Sequence, residues 1–193
     1  LELEDSNVPD LDDSKDLINL VNAINELRAE DQVLAYHDRS DGGLFASACE
    51  MAFAGHVGVS LNIDTLLAES EGIRDPVMDT GGGKTEELRV GTLREELTLR
   101  ALFNEELGAL IQVRTESRND VMQTLRKHGL SKFSHFVGET RPEHAPFEVG
   151  RGQIQVWRDT NSVCSATVQD MHQVWVAGDW EGSKQRANSC CAD

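Results

Sequence analysis

Ten consecutive residues connect an apolar run to a predicted helix, Tyr36-His37-Asp38-Arg39-Ser40-Asp41-Gly42-Gly43-Leu44-Phe45. The residues that lead into this segment, from Val33 to His37, are typical of a short buried strand. After the glycine pair, a helix rich in Ala, Leu, Phe and Met is predicted from about Gly43 to Ala54. The sequence therefore predicts a strand–turn–helix unit whose polar residues lie between the strand end and the helix start.

The acidic turn, residues 38–43, offers groups that bind phosphates and divalent cations. Asp38 and Asp41 are hard oxygen donors suited to Mg²⁺, which uses one or two carboxylates and keeps waters and phosphate oxygens as its other ligands. Ser40 can donate a hydrogen bond to a phosphate or ribose, and free amides at a helix start attract anions. These features favour a binding site for a nucleotide with its Mg²⁺ ion. The alternative is that Ser40 or Asp41 only caps the helix and the two glycines only form the turn.

The remaining sequence predicts further helices and strands around an irregular stretch. Helical spacing of apolar residues predicts helices at about 14–29, 93–106 and 117–128. Short apolar runs predict strands at about 57–63, 107–113, 133–137 and 147–156. Glycine-rich, polar residues 68–92 predict a flexible loop or insertion. This order predicts an α+β fold, an α/β sandwich in which one mixed sheet has helices packed on it.

The domain organisation follows from the same patterns. Residues 1–12 are predicted to be a lead-in, residues 13–157 one domain, and residues 158–193 a tail or linker. The last part contains Trp175 and Trp180 without a clean period, so a terminal helix that docks by its tryptophans stays open as an alternative. The missing initiator methionine leads us to expect a piece of a longer protein.

Composition argues against several classes of protein. The chain has 18 basic and 34 acidic residues, a net charge of −16, which argues against binding nucleic acid or anionic lipid through neutralised phosphates. Its apolar stretches are shorter than the roughly 20 residues that span a bilayer. The start lacks a signal-peptide pattern and the four cysteines lack C-x-x-C spacing, so we expect a cytoplasmic protein with reduced thiols. The segment around Lys84 only mimics the end of a phosphate-binding P-loop.

Two blocks resemble the long, single-chain phosphoribosylformylglycinamidine synthases, also called formylglycinamide ribonucleotide amidotransferases. The first block extends from Tyr36 through Phe45 to Glu50-Met51-Ala52-Phe53-Ala54-Gly55-His56. The second is Leu102-Phe103-Asn104-Glu105-Glu106-Leu107-Gly108-Ala109, followed by Ile111-Gln112-Val113. The opening Val8-Pro9-Asp10-Leu11-Asp12-Asp13 is also similar. This family lies in the aminoimidazole ribonucleotide synthetase superfamily, and the chain resembles the C-terminal domain of its second synthetase-like half.

The resemblance implies a function and a set of ligands. The family uses ATP and glutamine to convert formylglycinamide ribonucleotide to formylglycinamidine ribonucleotide in purine biosynthesis, which makes it a carbon–nitrogen ligase of the glutamine amidotransferase type. It implies Mg²⁺ and ATP or ADP in the intact enzyme, with an auxiliary, structural nucleotide in this half. By motif match, Asp38 would be a Mg²⁺ ligand and Ser40 would contact ATP or ADP. No catalytic residue is implied for this chain.

The same resemblance implies partners within one polypeptide, namely upstream synthetase-like domains and a C-terminal glutaminase domain. We therefore expect the isolated piece to be inactive, and the face that a partner domain would cover could drive its homodimerisation. Two alternatives stay open. One is another synthetase or kinase of the same superfamily, acting on a small substrate. The other is a non-catalytic interaction module.

Overall fold

The computed structural model describes residues 11, 13–68, 84–141 and 152–187. Within these ranges the regular elements are α1 (Ser14–Ala29), β1 (Val33–Asp38), α2 (Gly43–Gly55), β2 (Gly58–Asn62), α3 (Asp64–Ala68), α4 (Lys84–Phe103), β3 (Ala109–Val113), α5 (Arg118–Lys127), β4 (Gly138–Arg141), β5 (Gln153–Arg158), β6 (Asn161–Thr167) and α6 (Val168–Ala187). The described residues divide into two units, one from residues 1–47 and 65–136 and the other from residues 48–64 and 137–193.

The first unit contains a two-stranded antiparallel sheet of β1 and β3, together with α1, α4 and α5. Its core is a cluster of apolar side chains that α1 and α5 share, namely Ala23, Leu27, Val121, Leu125 and Leu130. Val33, Ile111 and Val113 from the two strands pack against this cluster. The sheet thus lies on the helix pair, and β1 is held so that its carboxyl end opens into the acidic turn.

Helix α1 begins and ends as its sequence predicts. The Asp13 side chain accepts a hydrogen bond of 2.9 Å from the Lys15 amide, so Asp13 is the N-cap. Near its other end, the Glu26 carboxylate binds Lys127 at 2.7 Å and His128 at 2.8 Å, which joins α1 to the end of α5. These two contacts lower the pKa of Glu26, chiefly through the hydrogen bond from Lys127.

The second unit contains a four-stranded mixed sheet in the order β4-β2-β5-β6. Strands β2 and β5 are parallel, while the outer pairs are antiparallel. Leu61 of β2 and Ile154 and Val156 of β5 are fully buried at the centre of this sheet, and Ile63, just after β2, is fully buried as well. The α+β class with a mixed sheet is therefore confirmed, although β1 and β3 pair separately instead of joining the larger sheet.

Three segments differ from the sequence-based prediction. Residues 84–92 of the predicted loop belong to α4, because helix formers such as Glu86, Leu88 and Arg89 outweigh the helix-weakening Gly91. Residues 69–83 lie outside the described ranges. The strand predicted at 133–137 is wrong, since Ser131–Phe133 forms a 3-10 turn and the next strand begins at Gly138. Strand β5 is confirmed from Gln153, whereas Phe147 lies outside the described residues.

The segment predicted as a tail or linker contributes β6 and α6. Strand β6 pairs with β5 through a two-residue turn at Asp159 and Thr160, with φ angles of +49° and +66°. Positive φ at both positions is typical of the tightest hairpins, where glycine or asparagine usually signals the turn. Neither residue type is present here, so the hairpin escaped prediction. The domain boundaries themselves stay predictions.

Among the helices that the structure describes, none has the length and apolar character needed to cross a membrane.

Candidate functional site

The acidic turn connects β1 to α2, as predicted, and its two glycines take conformations that other residues avoid. Gly42 has φ of +82° and Gly43 has φ of +65°. A Cβ atom on Gly43 would lie 2.7 Å from the carbonyl carbon of Phe103 and 2.8 Å from the backbone oxygen of Asn104. Only glycine satisfies both the backbone angle and this close approach. The turn is therefore shaped to fit against the residues that follow α4.

Those residues, 104–108, form what we call the facing loop, and Arg39 attaches it to the turn. The Arg39 amide donates to the carbonyl of Gly108 at 2.9 Å. Its guanidinium donates from Nε to the Glu106 carbonyl and from Nη2 to the Leu107 carbonyl, the latter at 3.4 Å. Burial lowers the pKa of Arg39, and the nearby Glu106 carboxylate acts in the opposite direction. Arg39 thus spans backbone groups of three residues in the facing loop.

A second contact runs from the facing loop back to the turn. The carboxylate of Glu105 accepts a hydrogen bond of 2.9 Å from the amide of Gly42. Within the loop, the Asn104 side chain accepts from the Glu106 amide at 2.7 Å. In both contacts a side-chain oxygen accepts from a main-chain N–H. Glu105 thus fixes the backbone of the turn, and Asn104 fixes the backbone of the loop itself.

Asp38, the predicted Mg²⁺ ligand, lies exposed at the last position of β1. One of its carboxylate oxygens accepts a hydrogen bond from the Tyr36 hydroxyl. Tyr36 is 44% exposed, and the partial burial of its ring, followed by this hydrogen bond and the Asp38 charge, raises the pKa of Tyr36 to about 12. The phenol is a hydrogen-bond donor at neutral pH, and its contact with one carboxylate oxygen restrains the Asp38 side chain.

Ser40, the predicted nucleotide contact, is exposed on the same turn two residues further on. Its carbonyl accepts a hydrogen bond of 2.9 Å from the Gly43 amide, which closes the turn. Behind it, the buried Ser47 hydroxyl donates to the Gly43 carbonyl at 3.0 Å and lies 3.3 Å from the Asp38 carbonyl oxygen. The turn thus holds both predicted residues at its surface while its backbone is tied down from below.

The acidic turn offers oxygen ligands suited to Mg²⁺, but too few to hold the ion alone. Within the described ranges, no group of three or more His, Cys, Asp or Glu side chains is placed to hold a metal ion. Mg²⁺ does not need such a cage, since it takes one or two carboxylates and completes its shell with water and phosphate oxygens. An exposed Asp38 beside Ser40 supplies one carboxylate and one hydroxyl. These two residues would fit Mg²⁺ only as part of a site that draws its other ligands from elsewhere.

Several residues of the site were not predicted from the sequence. Tyr36, Arg39, Glu105 and Ser47 all make contacts that shape the turn. Glu105 and its neighbours stood out only through the resemblance of residues 102–109, and no spacing rule connected them with the turn. Such a connection exists only after folding, because the contacts join positions that are 63 to 68 residues apart.

Comparison with known proteins identifies the family. A family model described as AIR synthase related protein, C-terminal domain, matches residues 1–149. The chain belongs to this family, and the predicted place in the aminoimidazole ribonucleotide synthetase superfamily is confirmed.

Solved structures share this fold at low sequence identity. PurL of Thermotoga maritima complexed with ATP is 19% identical, with a TM-score of 0.56 over 83% of this chain and 22% of that chain. Phosphoribosylformylglycinamidine synthase II from the same organism is 19% identical over 82% and 22%, with a TM-score of 0.54. PurL complexed with FGAR is 20% identical over 78% and 20%, with a TM-score of 0.52. This chain therefore spans about a fifth of the length of these proteins.

Proposed function

We propose that this chain is the C-terminal synthetase-like domain of a purine-biosynthesis ligase. The whole ligase converts formylglycinamide ribonucleotide, glutamine and ATP to formylglycinamidine ribonucleotide. In this proposal the chain belongs to the second synthetase-like half, contributes part of an auxiliary magnesium–nucleotide site and has no activity alone. Support comes from the family match, and from the similar folds of PurL structures complexed with ATP, ADP and FGAR.

One observation carries the proposal, namely the closure of the acidic turn on the facing loop. These segments are the two blocks on which the resemblance rests, and they meet through Arg39 and Glu105. Asp38 and Ser40 are both exposed in the turn, between the end of β1 and the start of α2. That placement suits an anionic ligand and its cation, since the end of a strand and the beginning of a helix favour both.

Each proposed ligand contact has a definite chemical role. Asp38 would bind Mg²⁺ through the carboxylate oxygen that Tyr36 leaves unused. Ser40 would donate a hydrogen bond to a phosphate or ribose oxygen of ATP or ADP. The remaining magnesium ligands and most of the nucleotide pocket would come from the upstream domain. When bound, Mg²⁺ would supply the positive charge that this acidic chain lacks.

Calorimetric titration with Mg-ADP tests the proposal on a longer chain that includes the upstream domain. We expect saturable binding there, and weak or no binding to the 193 residues alone. Asp38→Asn removes the charge that holds Mg²⁺ and should weaken binding roughly tenfold or more. Ser40→Ala removes one neutral hydrogen bond and should weaken it by roughly fivefold.

Asp120→Asn is the matched control, because Asp120 is an exposed carboxylate on α5 and takes no part in the contacts described above for the turn and the facing loop. Its affinity should equal that of the unchanged protein. Absence of Mg-ADP binding to the longer chain would refute the nucleotide site. Unchanged affinity in Asp38→Asn would remove the magnesium role while leaving the nucleotide site intact.

The proposal also predicts partners within the same polypeptide, namely the upstream domains and a glutaminase. It is supported by apolar side chains that the first unit leaves exposed, Leu17, Ile18 and Val21 on α1 and Leu34 on β1. An upstream domain would cover such side chains in the intact enzyme, and a second copy could do so in the isolated chain. Light scattering on the 193-residue chain, with and without Ile18→Lys, tests the second case. A dimer that Ile18→Lys converts to monomers supports it, while a monomer in both refutes it.

A further inference from the structure

Two charged side chains, Arg39 and Glu105, join the acidic turn to the facing loop by contacting main-chain atoms. Arg39 reaches the carbonyls of Glu106 and Leu107, and its own amide reaches the carbonyl of Gly108. Glu105 accepts the hydrogen bond of the Gly42 amide. Each segment therefore contributes one charged side chain that binds the backbone of the other, and the two contacts are reciprocal.

The position of Arg39 in the sequence gives this pair of contacts a consequence for the site. Arg39 lies between Asp38 and Ser40, and Gly42 lies two residues after Ser40. Fixing the backbone at Arg39 and at Gly42 therefore restrains the turn on both sides of Ser40. The restraint matters because Gly42 and Gly43, with positive φ, have far more backbone freedom than other residues when nothing holds them.

We infer that Arg39 and Glu105 are positioning residues of the proposed magnesium–nucleotide site, acting through the backbone of the turn. This inference rests on the proposed function for its ligand. The contacts of Arg39 and Glu105 that join the turn to the facing loop, which we call the clamp, are a property of the chain itself. The clamp holds Asp38 and Ser40 in place before any ligand arrives. The site is therefore preorganised, and loss of the clamp costs affinity because the ligand must then order the turn.

The chemistry of the Glu105 contact suggests a conservative substitution that separates its parts. The Gly42 amide needs an acceptor oxygen, and a glutamine side chain offers one at the same reach. Glu105→Gln therefore keeps the hydrogen bond and removes the charge, whereas Glu105→Ala removes both. For Arg39, Lys keeps the charge but loses the planar fork that reaches two carbonyls. Positioning predicts a graded series, with Glu105→Gln close to the unchanged protein and both Glu105→Ala and Arg39→Lys impaired.

Amide hydrogen exchange, followed residue by residue by NMR on the 193-residue chain, tests the clamp without any ligand. In Glu105→Ala the Gly42 amide should exchange roughly tenfold faster, since its acceptor is gone, and Glu105→Gln should restore most of the protection. Glu116→Ala, an exposed carboxylate of the same unit, is the control and should leave Gly42 unchanged. Equal exchange at Gly42 in Glu105→Ala and the unchanged chain would overturn the inference.

Mg-ADP titration of the longer chain tests whether the clamp serves the site. Glu105→Ala and Arg39→Lys should each weaken binding by roughly fivefold to tenfold, and Glu105→Gln should recover most of the affinity. Faster Gly42 exchange with unchanged affinity would overturn the positioning role. If the unchanged longer chain does not bind Mg-ADP, the proposed function fails, and the positioning role fails with it. Faster exchange in Glu105→Ala would in that case establish only a structural clamp.

Discussion

The acidic turn and the contact between α2 and α6 are both places where distant segments meet, but they are held by different forces. The turn is fixed by Arg39 and Glu105, which bind backbone groups. In the second unit, α6 is held on α2 by rings, with Trp175 beside Phe53 and a hydrogen bond of 3.1 Å from its Nε1 to Glu50. His172 stacks on Trp175 with ring centroids 5.9 Å apart.

The difference shows which features each region can lose. Backbone-directed contacts require one main-chain geometry, so the turn depends on two glycines and on charged groups at fixed positions. Ring contacts depend mainly on the apolar area that they bury, so they adapt to other large side chains. We therefore expect the turn to respond sharply to small changes, and the α2–α6 contact to respond in proportion to the area removed.

Gly43→Ala should give the largest effect and would sharpen this contrast. The new methyl group would lie 2.7 to 2.8 Å from backbone atoms of Phe103 and Asn104, at φ of +65°. Left-handed backbone strain and overpacking together should lower the free energy of unfolding by about 3 kcal/mol. Urea denaturation followed by circular dichroism measures the change.

Gly55→Ala is the matched control for that experiment, because Gly55 ends the same helix without a positive φ. Its added Cβ would meet only the Val57 side chain, at the ordinary distance of 3.4 Å. The change should stay within about 0.5 kcal/mol. Equal losses for both variants would contradict this prediction. The close approach at Gly43 would then cost no more stability than a methyl group added at the end of the same helix.

Trp175→Ala should have the next largest effect and tests the region held by rings. Trp175 is 47% exposed, so the substitution removes the contacts of only about half of its surface. It also removes the hydrogen bond to Glu50. We expect a loss of about 2 kcal/mol in the free energy of unfolding, measured by the same urea titration. Trp175→Phe should keep about half of that stability, because it retains a ring against Phe53.

Val174→Ala, one residue away and 68% exposed, is its control and should change stability by less than about 0.5 kcal/mol. A loss in Trp175→Phe as large as that in Trp175→Ala would contradict the area argument. It would show that the α2–α6 contact depends on its hydrogen bond, as the acidic turn does.

The sequence predicted most of the fold where its signals were local. The strand β1 and helices α1, α2 and α5 were predicted nearly to the residue, because apolar periodicity, an acidic N-cap and terminal glycines lie within a few positions of each other. Strand β6 was missed because its hairpin turn at Asp159 and Thr160 carries no glycine. The start of α4 was missed because the glycines of residues 68–92 are typical of a loop, and they mask the helix formers that follow Lys84.

For the candidate site, the sequence pointed to the turn that bears the proposed ligand groups, Asp38 and Ser40, but not to the contacts that hold that turn. Asp38 and Ser40 lie exposed at the end of β1 and the start of α2, where local patterning placed them. Their supports are contacts with the facing loop, 63 or more residues away, and no local rule reaches that far. Even the Tyr36 contact with Asp38, two residues apart, required the strand geometry to be known.

The Cys49 thiol on α2 and the Tyr36 phenol next to the acidic turn each provide a measurement of one region, and both groups are uncharged at neutral pH. Burial raises the pKa of the Cys49 thiol on α2 to about 12, with smaller contributions from Cys164 and Glu50. We expect Cys49 to resist iodoacetamide at pH 8, while half-buried Cys164 reacts faster, as peptide mass spectrometry can measure. Unfolding in urea should make both react alike. Rapid alkylation of Cys49 in the folded chain would contradict its burial.

Tyr36 gives the corresponding measurement at the acidic turn, and it is the one tyrosine of the sequence. Absorbance at high pH therefore follows its ionisation alone, with an expected midpoint near pH 12 in the folded chain and near 10 in urea. Because the folded chain holds this proton more tightly, stability should fall as pH rises from about 10 to 12.

Asp38→Asn should move the Tyr36 midpoint only part of the way toward 10, since burial is the larger cause and persists in the variant. Circular dichroism at each pH value serves as the control, and the midpoint is read only where the spectrum is that of the folded chain. A complete return to 10 in the folded variant would show that Asp38 alone raises the pKa. The two regions would then differ more sharply still, with charge dominating at the turn and burial dominating at Cys49.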